Sequence, residues 1–275
     1  MVKVKWDGTA WEVLPLKSKE GYYIDGYLKS NLDILRVHIK NDWDYILLVD
    51  GREGSGKSVL AQMTGKYLDP SLDIDRVVFT PEEFVDAVKV AKKYQCVIYD
   101  EAYAGLSSRG TMTELNKTIV RMLTEIRQKN LFIIIVMPCF FDLDKYVALW
   151  RSCALLHVRV ENMNRGFFSF YTYNKKKSLY VTGKQYYNYA RPAPNFYGSF
   201  TNQYVVSEVL YRKKKKESVD KITLQNESTT NKSKQRDKTI LLLKEELAWT
   251  DEAIADKIGM SRRRVSEIIK NFRDS

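Results

Sequence analysis

Histidine is nearly absent: His38 and His157 are the only two in 275 residues, too few for the histidine-containing ligand sets of structural zinc sites. Cysteine is scarce and odd in number. Cys96, Cys139 and Cys153 lie in or beside apolar runs with no C-x-x-C spacing, which speaks against a disulfide framework and for buried thiols in a reducing compartment. Long apolar runs are missing too. The longest apolar stretch, Leu131 to Phe141, holds 11 residues, whereas a membrane-spanning helix needs roughly 20. The opening MVKVKWDGTAW has no apolar segment of a signal peptide, and no repeat of 20 to 50 residues is visible. These absences lead to the expectation of a cytoplasmic protein without a membrane span, long enough for one α/β core plus small appendages.

Charge of one sign is in excess and unevenly placed. The formal net charge is +11, and the segment from Arg212 to Lys238 alone carries ten basic and four acidic residues. Its shortage of apolar residues and wealth of Lys, Ser, Thr and Asn read as a basic flexible linker over 212–238. Such a block either solvates a tether or meets a polyanion.

The most informative stretch is DYILLVDGREGSGKSVL, residues 44–60. Tyr45 to Val49 has the length and the β-branched and aromatic character of a buried strand. Gly51, Gly54, Gly56, Lys57 and Ser58 then fit G-x-x-x-x-G-K-[ST]. In that pattern glycines let backbone N–H groups curl around phosphate oxygens, and the following helix points its positive N-terminus at the anion. Gly51, Gly54, Ser55, Gly56, Lys57, Ser58 and Val59 are thus the expected nucleotide contacts. Lys57 would reach the β- and γ-phosphates, and Ser58 would offer its hydroxyl to Mg²⁺.

A second element completes the chemistry. In QCVIYDEA, residues 95–102, Asp100 closes an apolar strand, where a carboxylate orients Mg²⁺. Glu101 directly after it can act as general base on an attacking water. Simple kinases and GTPases normally lack that adjacent pair, and NKTI at 116–119 lacks the Asp of the guanine signature. Around these motifs, a helix is expected over about Leu28–Lys40 and strands over 75–80, 131–137 and in ALLHVRV. Helices are expected from Pro81, from Met112 to Gln128 and around Asp144–Trp150, and FFSFYTYNKKKSLYV (167–181) has the runs of a hairpin. Strands alternating with helices predict an α/β fold, a mostly parallel sheet with helices on both faces.

On GREGSGKS and CVIYDEA the chain resembles the P-loop ATPases that carry an additional catalytic glutamate. Over about residues 40–160, with the later hairpin, it looks similar to zonular-occludens-toxin-like and FtsK/HerA-type ATPases of phages and mobile elements. The resemblance implies ATP and Mg²⁺ as cofactors and a sheet in which LFIIIVM lies between the loop strand and the CVIYD strand. Met137, Pro138 and Cys139 stand where many of those ATPases place a polar sensor residue. It also implies a homo-oligomer, a ring in such motors, in which a neighbour's arginine stabilises developing charge; Arg127 and Arg151 are the candidates.

WTDEAIADKIGMSRRRVSEIIKNF, residues 249–272, has the spacing of a helix-turn-helix. Thr250 and Ser261 are N-caps, Ala255 sits at the close crossing, Gly259 in the turn, and Val265 and Ile268 on the apolar face. KTILLLKEEL (238–247) would be the supporting helix. Arg262, Arg263, Ser266 and Lys270 would face DNA, joined by tether lysines Lys213, Lys214, Lys215 and Lys216. The competing reading is a protein-binding bundle, because residues 239–275 hold seven basic and seven acidic side chains. The expected organisation is therefore an N-terminal cover (1–40), an ATPase core with a C-terminal hairpin (41–211), the basic linker (212–238) and a small helix-turn-helix domain (239–275). The functional expectation is an ATPase acting on DNA as a translocase or packaging-type motor. The alternatives are an ATP-gated DNA-binding regulator or partitioning switch and, more remotely, a small-molecule kinase.

Overall fold

A computed structural model describes residues 1–100, 120–122, 125–245 and 248–273. The chain divides into two compact units, Met1–Ser218 and Val219–Ser275. Glu101 and residues 102–119 lie outside the described residues, as does most of the helix expected over 112–128, of which 120–122 and 125–128 are helical.

The first unit opens with a small antiparallel sheet, β1 (Val2–Trp6), β2 (Trp11–Leu14) and β3 (Tyr22–Ile24), in the order β2-β1-β3. Helix α1 (Gly26–His38) follows, its first turn capped by Asp25, which accepts from the Tyr27 and Leu28 N–H groups. The expected N-terminal cover is therefore a folded layer. Trp11 stacks on Tyr67 with ring centroids 4.9 Å apart and donates its indole N–H to the Tyr67 carbonyl at 2.9 Å.

The main sheet contains β4 (Tyr45–Gly51), β5 (Val77–Val78), β6 (Cys96–Asp100), β7 (Phe132–Val136), β8 (Ser152–Glu161), β9 (Asn164–Thr172) and β10 (Phe196–Ser199). Its order is β10-β9-β8-β4-β7-β6-β5. From β8 to β5 neighbours run parallel, while β9 and β10 pair antiparallel. LFIIIVM thus lies between the loop strand and the CVIYD strand, as the resemblance implied. All seven residues of β4 are buried, as a central strand covered on both faces requires. Alternate residues serve opposite faces. Ile46, Leu48, Val97, Tyr99, Ile133 and Ile135 join Phe84 and Val88 of α3 (Pro81–Val90) and Leu179 and Tyr180 of α4 (Tyr173–Gly183) in one core. On the other face lies α2 (Lys57–Leu68), packed so closely that a Cβ on Gly65 would stand 3.0 Å from Ile98. The architecture is mixed α/β, a mostly parallel seven-stranded sheet flanked by helices, compatible with a P-loop nucleoside-triphosphatase fold.

Four expectations are corrected. The hairpin is not at 167–181: β8 and β9 form it through Asn162 and Met163, both at positive φ, and Tyr173 onward is helix α4. The strand expected over 75–80 is only Val77–Val78. The helix expected around Asp144–Trp150 is a wide π-turn, Val147–Arg151. The segment 212–238 is not coil, for it lies within helix α5 (Glu208–Glu245). This stretch has no Gly or Pro, and Arg212–Glu208 and Lys213–Glu217 pair at i,i+4 spacing, at 2.7 and 4.0 Å.

The second unit packs Ile240, Ile254, Ala255, Val265, Ile268 and Ile269 into a core of its own. In it α6 (Asp251–Ile258), capped by the Thr250 hydroxyl, ends at Gly259 with φ +71°, and α7 (Arg262–Arg273) follows. Among the described residues no helix is long and apolar enough to cross a membrane.

The π-turn leaves carbonyls to be satisfied from outside. Ser152 Oγ donates to those of Val147 and Ala148, and the fully buried Lys176 of α4 donates to that of Ala148. Burial lowers the Lys176 ammonium to about 8. Between that value and 10.5 the unfolded chain holds a proton the folded chain does not, so this group's contribution to stability rises with pH. Relative to Lys176→Met, wild-type stability is expected to gain about 2 kcal/mol between pH 7 and 10, measured by denaturant unfolding of both proteins. A constant difference would refute it.

Candidate nucleotide site

The site begins where β4 leaves the sheet. Gly51 has φ +135°, a conformation side chains avoid, and a Cβ there would stand 2.4 Å from the Val158 carbonyl oxygen of β8. Gly56, with φ +102°, is the N-cap of α2 and makes no side-chain capping bond. Its missing Cβ leaves 3.1 Å to the Phe200 ring. Gly54 is also at positive φ, and Ser55 N–H closes the loop onto the Arg52 carbonyl at 3.2 Å.

The loop has the features a phosphate requires. Among the described residues, the buried Ser55 hydroxyl has no hydrogen-bond partner and the 12-residue helix that starts at Lys57 has no side-chain cap, while the glycines leave a cradle that a Cβ would crowd. Lys57 Nζ meanwhile bends back to the loop's own carbonyls, 2.7 Å from that of Gly51 and 3.0 Å from that of Arg52. Burial lowers its pKa, against the upward pull of Asp100 and Asp50.

Strand register brings Asp100 to the same edge of the sheet. Val49 and Asp100 both pair with Val136, from either side of β7. The Asp100 carboxylate is buried and accepts a hydrogen bond from the Tyr211 hydroxyl at 2.6 Å. The Ser58 side chain lies beside the same phenol. Ser58 and Asp100, the pair expected to hold Mg²⁺, are thus brought together through a residue of α5 that no sequence motif marks.

Beside the loop, the fully buried Asp50 accepts from the Phe140 N–H at 3.0 Å and from the Tyr189 hydroxyl, and lies 2.9 Å from His157 Nδ1. His157 and Tyr189 stack with ring centroids 3.7 Å apart. Burial and the Asp50 carboxylate hold the Tyr189 phenol well above its ordinary pKa. Met137, at the end of β7, serves by its backbone, donating to the Val49 carbonyl at 2.9 Å.

The two candidate arginines lie away from the loop. Arg151 precedes β8 and pairs with Asp44, which precedes β4, at 2.5 Å, while Arg127 is exposed in the helical stretch 125–128 before β7. Both sit at the opposite edge of the parallel strands from the loop. The arginine that approaches is Arg165, exposed at the start of β9, with one guanidinium nitrogen 3.9 Å from where a Cβ on Gly54 would stand. Its position depends on the β8–β9 turn, where Asn162 was the available signal.

In the second unit Arg262, Arg263 and Lys270 are exposed, with Arg263 3.3 Å from Glu267. Ser266 Oγ donates to Asp251 at 2.6 Å, a bond between α6 and α7. Of the four lysines, Lys213 and Lys216 are exposed, whereas Lys214 Nζ donates to the Ile74 and Val77 carbonyls at 3.1 and 2.7 Å. Lys215 Nζ lies 3.4 Å from the Tyr211 hydroxyl.

No family model matches this chain, and no curated protein matches it in sequence. Among solved structures, the N-terminal domain of zonular occludens toxin from Neisseria meningitidis is similar over 47% of this chain and 84% of that one, at 19% identity and a TM-score of 0.32. So distant a likeness carries no inference about activity.

Asp50 accepts from donors on both of its oxygens, so an amide in its place must turn its NH₂ toward one of them. Asp50→Asn is expected to lower stability by about 2 kcal/mol or more, measured by denaturant unfolding. An unchanged midpoint and slope would show that the carboxylate does not brace these loops.

Proposed function

We propose that the chain binds and hydrolyses ATP with Mg²⁺ and acts on DNA, as an oligomeric translocase or packaging-type motor of a phage or mobile element. The observation that carries the nucleotide part is the glycine cradle running into the start of α2, at the same sheet edge as Asp100. Ser58 and Asp100 would hold the metal, which when bound offsets charge on the phosphates. Lys57 turns from its loop carbonyls to the β- and γ-phosphates, and the free N–H groups at the head of α2 orient them. Glu101, next in the chain after Asp100, takes the proton of the attacking water. Arg127 or Arg151 of a neighbouring copy would supply charge in trans; Arg151 would first have to leave Asp44.

The DNA part rests on the excess of basic residues in 212–238 and on the pair α6–α7, read as a helix-turn-helix with Arg262, Arg263 and Lys270 outward. Of Lys213 to Lys216, Lys213 and Lys216 are the exposed ones. A second reading, an ATP-gated regulator with little turnover, is favoured by one observation: the Asp100 carboxylate is already engaged by Tyr211.

Lys57→Ala is expected to abolish nucleotide binding or turnover. Glu101→Gln should still bind ATP while turnover falls on the order of 10²-fold or more. Binding and hydrolysis assays, run with and without DNA and with sizing in nucleotide, separate the readings: a motor shows DNA-stimulated turnover and an assembly, a switch little turnover. Unchanged hydrolysis in Lys57→Ala discards the site.

Replacing Arg262 and Arg263 together with Ala should weaken DNA binding and reduce the slope of log affinity against log salt by about 2. Replacing Lys213 and Lys216 should weaken binding to all sequences alike. Equal affinities for all these variants in titrations at two salt concentrations would make the second unit a protein-docking module.

A further inference from the structure

Tyr211 is a buried phenol in the first turn of α5, and its position is unexpected for a residue with no part in the motif. Its oxygen donates to Asp100 at 2.6 Å and lies beside Ser58. These are the two side chains, from α2 and β6, that the nucleotide reading assigns to Mg²⁺. A divalent cation with oxygen ligands at about 2.1 Å needs the space between them. A neutral phenol has one proton to give and is already giving it to the carboxylate. The hydroxyl and the cation therefore compete for the same two oxygens.

The phenol is held firmly from outside the motif. Its ring sits against Phe79 and Tyr204, each with its centroid 5.6 Å away. Three residues on, Lys214 pins the same helix to the Ile74 and Val77 carbonyls beside β5. Lys215 lies over the hydroxyl and close enough to Lys57 to depress its pKa. The start of α5 is thus fastened across the edge of the sheet from which the phosphate loop emerges.

We propose that Tyr211 is a latch on the metal position: the first turn of α5 closes the Ser58–Asp100 pair when no metal is bound and withdraws when the Mg²⁺–nucleotide complex binds. The inference rests on the phosphate-loop reading above and adds regulation of that site by α5. It separates the two ligands, because phosphates in the glycine cradle do not need the phenol's space whereas the metal does. Removing the hydroxyl should therefore ease metal-dependent binding and leave metal-free binding nearly unchanged.

The test uses the full-length protein and a fluorescent, non-hydrolysable ATP analogue, titrated with Mg²⁺ and, separately, in EDTA. Tyr211→Phe keeps the ring between Phe79 and Tyr204. It is expected to lower the Mg²⁺ concentration for half-maximal binding by about fivefold, the loss of one hydrogen bond. Binding in EDTA should stay within about twofold. Lys214→Met, which loosens the helix without touching the metal position, should shift the Mg²⁺ requirement the same way. In the wild type, hydrogen exchange of the backbone amides of 208–218 should accelerate on adding Mg²⁺ with the analogue, and not with the analogue in EDTA. An unchanged or raised Mg²⁺ requirement in Tyr211→Phe, or greater protection of 208–218 with the metal complex, overturns the latch; a raised requirement would make the phenol a support for the bound metal. Failure of the underlying reading looks different: wild type and Lys57→Ala would then bind the analogue equally, or not at all, in EDTA and Mg²⁺ alike.

Discussion

The tight passage of the chain out of the sheet at Gly51 is the constraint on which the rest of the site depends. With the Val158 carbonyl 2.4 Å from where a side chain would begin, the backbone turns immediately at the end of β4 rather than one residue later. That turn sets the start of α2, and with it the direction of the unpaired N–H groups at the helix head. It also places Asp50, the last side chain before the turn, wholly inside the protein. A carboxylate is tolerated there because donors from three other segments reach it: Phe140 after β7, His157 on β8 and Tyr189 beyond α4. The loop is thus braced from both sides of β4.

Much of this was legible in the sequence, for a physical reason. Gly51, Gly54, Gly56, Lys57 and Ser58 act through local backbone geometry, and local geometry is what spacing along a chain encodes. The place of FIIIV between the loop strand and the CVIYD strand was implied by the resemblance to P-loop ATPases, and the burial of all five of its residues fits a strand covered on both faces. What escaped were features set by distant partners. YNKKKSLYV reads as the polar turn and second run of a hairpin, yet it is helix α4, with Lys176 drawn inward by a carbonyl of the π-turn. The basic stretch after Tyr211 looked like coil by composition, although without Gly or Pro nothing in it opposes helix formation. Asp50 and Tyr211 belong to no pattern because their partners lie 90 to 139 residues away for Asp50 and 111 for Tyr211.

The placement of charge separates two kinds of basic residue. Lys57, Lys176 and Lys214 spend their protons on backbone carbonyls, which orders carbonyls that would otherwise lack partners. Arg262, Lys213, Lys216 and Lys270 are exposed, where a net positive field reaches solvent and polyanions. The formal charge of +11 therefore overstates the charge available to a partner, and residue position rather than composition tells which cations are free.

The way Lys57 rests on its own loop has a consequence for any anion that would bind there. Its ammonium already donates to the Gly51 and Arg52 carbonyls, so an anion would not rescue a stranded charge but would exchange one set of acceptors for another. The net gain of such an exchange is a fraction of the gross strength of the new bonds. Without the anion the same carbonyls hold the ammonium, and the loop needs neither collapse nor a substitute ligand to keep that charge satisfied.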